Sequence, residues 1–143
     1  MKITCLVLFF CVALWSDNVL CRMTEKQLTA AVKLVRNMCA GKTKATAEDI
    51  DKMHVGDWDV DHNAMCYMYC GLNMYKLIDK DNKFDRKSAE AQLAQLPASM
   101  HEYVNKCMDQ CENAATSFDD KCHSAWEYSK CMYFCDPEKY FLP

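Results

Sequence analysis

Glycine and proline are scarce in this chain of 143 residues, which contains only three of each. β-Branched residues are also sparse, and apolar residues recur at helical rather than alternating spacing. No repeat, linker or low-complexity segment divides the chain. These features argue against a strand-rich fold and predict a single all-α domain.

An excess of positive charge is also missing. The chain has 17 Lys and Arg against 20 Asp and Glu, which gives a formal net charge of −3. Nucleic-acid binding depends on phosphate neutralisation by clustered Lys and Arg. The sequence therefore predicts no nucleic-acid partner.

Long apolar runs are absent except at the start, where the chain reads MKITCLVLFFCVALW. This run is too short to span a bilayer and lies where a secretory signal belongs. An uncleaved membrane anchor is the alternative, but no basic stop-transfer flank follows. Small side chains favour cleavage after Cys21, and this cut leaves an even eight of the 11 cysteines. We predict a signal peptide over 1–21, a domain over 22–143 and secretion into an extracellular, disulfide-permissive environment.

Six helices follow from the apolar spacing and from the residues that start and stop helices. The expected starts are Thr24 with Gln27 as a capping box, Thr46, Asp61 to Asn63, Asp85, Ser99 with Glu102 as a second capping box, and Asp119 or Asp120. The expected ends are Gly41, Gly56, about Ile78, Pro97, about Ala115 and Asp136.

Cysteine pairs at C-x₃-C spacing occur three times, in CYMYC, CMDQC and CMYFC. Residues four apart on a helix have Cβ atoms about 5–6 Å apart, whereas a disulfide needs roughly 3.5–4.5 Å. Each cysteine should therefore pair with a different helix. A Cys₄ zinc site is the alternative, but zinc ligands at this spacing usually lie on turns. We predict disulfides, with no metal and no cofactor.

Catalytic and calcium-binding patterns are weak. The stretch DKDNKFDRKSAE resembles a calcium loop, but Lys83 and Phe84 replace a ligand and the turn-forming glycine. A solvated loop with Asp85 as a helix cap is the better interpretation. The four histidines, His54, His62, His101 and His123, accompany no nucleophile motif, so we predict no enzyme. A pH-sensing histidine remains open.

Methionine is abundant, with nine residues after the initiator. Methionine is flexible and suits binding surfaces that must adapt. Ordinary core filling explains any single one, but together with disulfide-tied helices they favour an apolar cavity.

Six of the cysteines carry a family resemblance: Cys39, Cys66, Cys70, Cys111, Cys122 and Cys131. The gaps between them are 26, 3, 40, 10 and 8 residues. This pattern resembles the insect odorant-binding and pheromone-binding proteins across the whole predicted domain. The elements VGDW and YFLP are similar to the subgroup that includes the fly protein LUSH. The resemblance implies the pairs Cys39–Cys70, Cys66–Cys122 and Cys111–Cys131, and a compact six-helix fold that encloses an apolar cavity.

Two further cysteines, Cys107 and Cys135, lie outside that six-cysteine pattern. The fifth and sixth helices share a short loop and should run antiparallel. If Cys111 meets Cys131, the residues one turn away on each helix also face each other. This geometry predicts a fourth bridge, Cys107–Cys135.

The resemblance implies a secreted carrier that binds odorant or pheromone-like molecules and delivers them to a membrane chemosensory receptor. We expect a monomer or weak homodimer. A secreted signal or a salivary scavenger of amines is the alternative, although the inward positions are neutral. Leu72 and Leu77 offer no hydroxyl, so we expect the third-helix side to prefer alkyl chains. The expected lining residues are Met68, Leu72, Leu77, Phe84, Met108, Ala125, Ser129 and Met132, with Phe141 and Leu142 closing one wall.

Overall fold

The computed structural model describes residues 22–143. The predicted signal peptide over 1–21 lies outside these residues. Within them the chain forms six α-helices, joined by short loops and one 3₁₀ turn at Ala98–Met100. The helices are α1 (Glu25–Thr43), α2 (Ala47–His54), α3 (His62–Met74), α4 (Arg86–Leu93), α5 (His101–Cys111) and α6 (Lys121–Cys135). The β-type pairing in this part of the chain is limited to one isolated bridge between Ile78 and Phe84. The all-α fold is therefore confirmed.

Polar caps start the helices where the sequence predicts them. Thr24 and Gln27 form the reciprocal capping box of α1. Thr46, Asp61 and Asp85 each accept a backbone N–H at the start of α2, α3 and α4. Asp120 accepts two such bonds at the start of α6. Each side chain satisfies amide groups that lack an intrahelical acceptor.

The start of α5 is an exception, and the predicted Ser99–Glu102 capping box is wrong. The residue before α5 is Met100, which makes no side-chain cap. The Ser99 hydroxyl instead donates to the Glu25 carboxylate at the start of α1. A contact between distant segments has replaced the local cap.

Four helix ends differ from prediction. α1 continues past Gly41 to Thr43 and ends at Lys44, whose φ is 60°. α3 ends at Met74 rather than near Ile78, α4 ends at Leu93 rather than at Pro97, and α5 ends at Cys111 rather than near Ala115. Non-glycine residues with a left-handed backbone, Lys44 and Lys76, terminate α1 and α3, and a sequence pattern based on glycine misses them.

Helices α3 and α6 form the centre of the molecule, with α1 packed on α3 and α5 packed on α6. Ile50 and Met53 anchor α2 to this core, each only 1% exposed. No helix among residues 22–143 is both long enough and apolar enough to cross a bilayer.

Four disulfides connect the helices, and they are the four pairs that the sequence predicts. Cys39–Cys70 joins α1 to α3, and Cys66–Cys122 joins α3 to α6. Cys107–Cys135 and Cys111–Cys131 join α5 to α6 at positions four residues apart on each helix.

The tail, residues 136–143, leaves the end of α6 and folds back over the core. Leu142 is 2% exposed, and Pro143 is fully buried. A Cβ at Gly71 of α3 would lie 2.8 Å from the Pro143 Cγ. The absence of a side chain at Gly71 therefore makes room for the last residue of the tail.

Candidate functional site

An apolar cavity, called here the inner cavity, lies between α1, the end of α3, α4, α5, α6 and the tail. Its wall consists of hydrocarbon and thioether side chains with a few neutral polar groups, and no lining residue carries a formal charge. The lining residues are Met23, Leu28, Ala31, Tyr75, Leu77, Phe84, Ala89, Gln92, Leu93, Leu96, Val104, Met108, Tyr128, Met132, Phe141 and Leu142. Such a site favours an apolar molecule.

The inner cavity is small, with a volume of about 100 Å³. A protein cavity of roughly 150 Å³ is known to accommodate benzene. The wall of the inner cavity must therefore move before a larger ligand fits.

The structure brings together six of the ten residues that the sequence assigns to the lining. These are Leu77, Phe84, Met108, Met132, Phe141 and Leu142. The other four, Met68, Leu72, Ala125 and Ser129, are almost completely buried but do not line the cavity. They lie on α3 and α6, whose mutual packing forms the core.

Sequence reasoning missed the contribution of α1, α4 and the end of α3 to the wall. Ala89, Leu93 and Leu96 recur at helical spacing, which predicts that they are buried but not that they line a cavity. Tyr75 had no signal, because α3 was expected to continue beyond it. Tyr75 places a hydroxyl at the α3 side of the wall, which Leu77 lines as well.

Phe84 and Tyr128 separate the inner cavity from a second, more polar space. Their rings stack with centroids 4.5 Å apart and planes 19° apart. Both residues also line this outer pocket of about 220 Å³, together with Asn82, Lys83 and Glu112 among others. A movement of the Phe84 ring would join the two spaces.

The tail closes the inner cavity on one side. Phe141 and Leu142 line it, and the Phe141 ring meets Tyr103 edge-on at 6.2 Å. Tyr140 points away from the cavity wall into an aromatic cluster with His54, Trp58 and Tyr133. Burial raises the pKa of Tyr140 well above its usual value, so the hydroxyl stays protonated.

His54 is the histidine that contacts the tail. Its ring lies 5.6 Å from that of Tyr140. Burial lowers the pKa of His54, and the positive charge of Arg36 lowers it further. A hydrogen bond with the Pro143 backbone and the charge of Asp51 raise the pKa by less. The neutral imidazole is therefore the form that suits the docked tail.

The other histidines lie elsewhere. His101 bonds to the Leu96 carbonyl, and His123 lies beside Glu127. His62 bonds to Asp120 through Nε2 and lies 3.7 Å from the Cys66 sulfur through Nδ1.

One group of potential metal ligands occurs among the described residues, formed by His62, Cys66 and Cys122. Both sulfurs belong to the Cys66–Cys122 disulfide and offer no thiolate. The Asp79 carboxylate in the calcium-like loop accepts the backbone N–H groups of Asp81 and Lys83. Its oxygen stabilises the turn itself.

The sequence model described as the PBP/GOBP family matches residues 21–134 of the chain. Odorant binding protein 4 of the predator Chrysopa pallens has a solved structure that is 41% identical, with a TM-score of 0.79. The similarity covers 85% of this chain and 99% of that one. General odorant-binding protein 72 of Anopheles gambiae is 25% identical over 119 residues, which is 83% of this chain and 98% of that protein.

A more distant structure shares the fold and the number of bridges. Odorant Binding Protein 7 of Anopheles gambiae, solved with four disulfide bridges and in complex with an azo compound, is 18% identical with a TM-score of 0.68. The similarity covers 85% of this chain and the whole of that one. The resemblance to the LUSH subgroup stays a prediction.

Proposed function

Since the chain belongs to the PBP/GOBP family of insect odorant-binding proteins, we propose that it takes up odorant or pheromone-like molecules in extracellular fluid and delivers them to a membrane chemosensory receptor. The family and the fold support the binding of small hydrophobic ligands. The observation that carries the proposal for this chain is the uncharged, mainly hydrocarbon wall of the inner cavity. A secreted carrier that acts as a monomer or weak homodimer is consistent with its small, disulfide-tied domain.

The proposed ligand contacts are the six predicted residues that line the inner cavity: Leu77, Phe84, Met108, Met132, Phe141 and Leu142. Met108 and Met132 supply flexible thioethers that adapt to ligands of different shape. Met68, Leu72, Ala125 and Ser129 support the surrounding core instead.

An amine scavenger would need an acidic group in the wall, since a buried cation requires a partner. The lining residues in the described part of the chain include none. The carrier is therefore the better-supported function.

Displacement of an apolar fluorescent probe from the secreted protein tests the proposal. Long-chain alcohols, esters and aldehydes should displace the probe at about micromolar concentration, which corresponds to about 8 kcal/mol of binding free energy. If biogenic amines displaced the probe and the aliphatic compounds did not, the scavenger would replace the carrier.

A further inference from the structure

Seven side chains of the described residues have a buried nitrogen or oxygen without a hydrogen-bond partner. Only one of them, Tyr75, lies in the wall of the inner cavity. The other six are His54, Trp58, Tyr67, Trp126, Ser129 and Tyr140. Buried polar groups in folded proteins are normally paired, so the Tyr75 hydroxyl needs an explanation.

The end of α3 fixes the position of Tyr75. Lys76 adopts the left-handed backbone at φ 57°, directly after Tyr75. Its N–H donates to the Asn73 carbonyl at 3.0 Å, and the Leu77 N–H donates to the Leu72 carbonyl at 2.9 Å. These two bonds form the Schellman arrangement that ends a helix. The backbone at Tyr75 is thereby fixed at the end of α3, and its side chain lies in the wall of the inner cavity.

Among residues 22–143, the surroundings of Tyr75 give its hydroxyl no partner. Most of the wall is aliphatic, aromatic or thioether, and its other polar members are Gln92 and Tyr128. Burial alone raises the pKa of Tyr75 to about 12, so the phenol is protonated at neutral pH. An unpaired buried hydroxyl destabilises the protein, and a ligand oxygen that accepts or donates the missing bond would remove that penalty.

We propose that the Tyr75 hydroxyl hydrogen-bonds the oxygen of a neutral, oxygenated aliphatic ligand in the inner cavity, such as an alcohol, aldehyde, ketone or ester. This inference rests on the proposed carrier function and names its ligand class. An ionised carboxylate is disfavoured because no lining residue is cationic. A pure alkane fills the same space but leaves the hydroxyl unpaired.

The test compares 1-octanol with n-octane as competitors of the fluorescent probe, on the wild-type protein and on Tyr75→Phe. The substitution removes one oxygen and keeps the ring. We expect the affinity for octanol to fall roughly 2- to 10-fold, the range of one net hydrogen bond, and the affinity for octane to stay unchanged. Thermal unfolding should show that Tyr75→Phe is folded and no less stable than the wild type, since it loses only an unpaired group.

Tyr67→Phe and Tyr140→Phe are matched controls, because each removes a buried, unpaired hydroxyl outside the inner cavity. Neither should change the preference for octanol over octane. If Tyr75→Phe weakened both ligands equally, or neither, or if a control variant reproduced its effect, the assignment of Tyr75 would be overturned while the carrier function stood. Failure of the wild-type protein to bind the probe and both ligands would overturn the carrier function itself.

Discussion

Gly71 is the residue at which the tail meets α3, and its missing side chain is a requirement of the packing. Gly71→Ala would place a Cβ 2.8 Å from the Pro143 Cγ. Proline is too rigid to move aside alone, so we expect the tail to shift and the free energy of unfolding to fall by about 1–3 kcal/mol. Denaturant unfolding measures the change. Gly41→Ala is the control, since it meets no atom within 4 Å; it should stabilise α1 by about 0.5–1 kcal/mol. Equal stabilisation by both substitutions would contradict the close packing of Pro143 against Gly71.

His54 links the docked tail to pH. Its pKa is lowered in the folded protein, mainly by burial. As pH falls below about 6.5, the unfolded or undocked state takes up a proton that the docked state resists. Stability and ligand affinity should therefore be highest above that pH and decrease as pH falls towards the lowered pKa.

The variant His54→Gln should flatten the pH dependence of probe binding between pH 7 and pH 5. His123→Gln is the control, since His123 lies beside Glu127 and Trp126 rather than the tail. Deletion of residues 139–143 should weaken binding at neutral pH and remove its pH dependence. An unchanged pH profile in His54→Gln would show that another group controls release.

How far single residues are predictable depends on whether their role is local. Asp85 and Asp120 are predictable as caps because a short acidic side chain bonds its own helix start. Ser99 has the same local pattern, but Glu25 competes for its hydroxyl across the fold. Lys76 ends α3 in a conformation that glycine usually adopts, and the sequence carries no sign of it.

Among the helices, α5 and α6 are unusual because two bridges join them. Cys107–Cys135 is the bridge next to the tail, which begins at Asp136. Replacing both of its cysteines by Ala should reduce the free energy of unfolding by about 2–4 kcal/mol, mainly because the unfolded chain is less restricted. Probe affinity should also fall, because the disulfide no longer fixes the end of α6, from which the tail starts.

The matched control is the double replacement of Cys111 and Cys131, whose bridge lies one helical turn further from the tail. It should destabilise the protein to a similar degree but weaken binding less. Equal losses of affinity in the two double variants would show that the bridge beside the tail has no special role. Thiol labelling of the unreduced, denatured wild-type protein should detect no free thiol among the eight cysteines of the four bridges.

The limits of predicting the site also appear at the level of elements. Helical spacing shows which face of α3 or α6 is buried. It does not show whether a residue on that face packs against another helix or lines a cavity. Met68 and Ala125 are buried, but they lie in the core rather than in the cavity wall that the sequence predicts for them. Met132, on the same helix as Ala125, lines the cavity. Only the three-dimensional arrangement of α1, α4 and the tail distinguishes these positions.

In the whole molecule, the bridges restrain α1, α3, α5 and α6, while the segment between α3 and α4 contains no cysteine. Phe84 lies in this segment. The segment is held by the β-bridge between Phe84 and Ile78 and by the hydrogen bond from the Asp85 N–H to the Leu77 carbonyl. No disulfide holds this part of the wall, so we expect the wall of the inner cavity to be displaceable at Phe84.

The small volume of the inner cavity has a kinetic consequence. If a ligand enters only after the wall has opened, the association rate cannot exceed the opening rate, however much ligand is present. Stopped-flow mixing should show an observed rate that rises with ligand concentration and then reaches a plateau. Phe84→Ala should raise this plateau, whereas Phe134→Ala, at an exposed position on α6, should leave it unchanged. A rate that increases linearly throughout, in wild type and variants alike, would mean that the entrance stands open. The same barrier acts on ligand release. The residence time of a bound ligand would then depend more on the opening rate of the wall than on the polarity of the ligand.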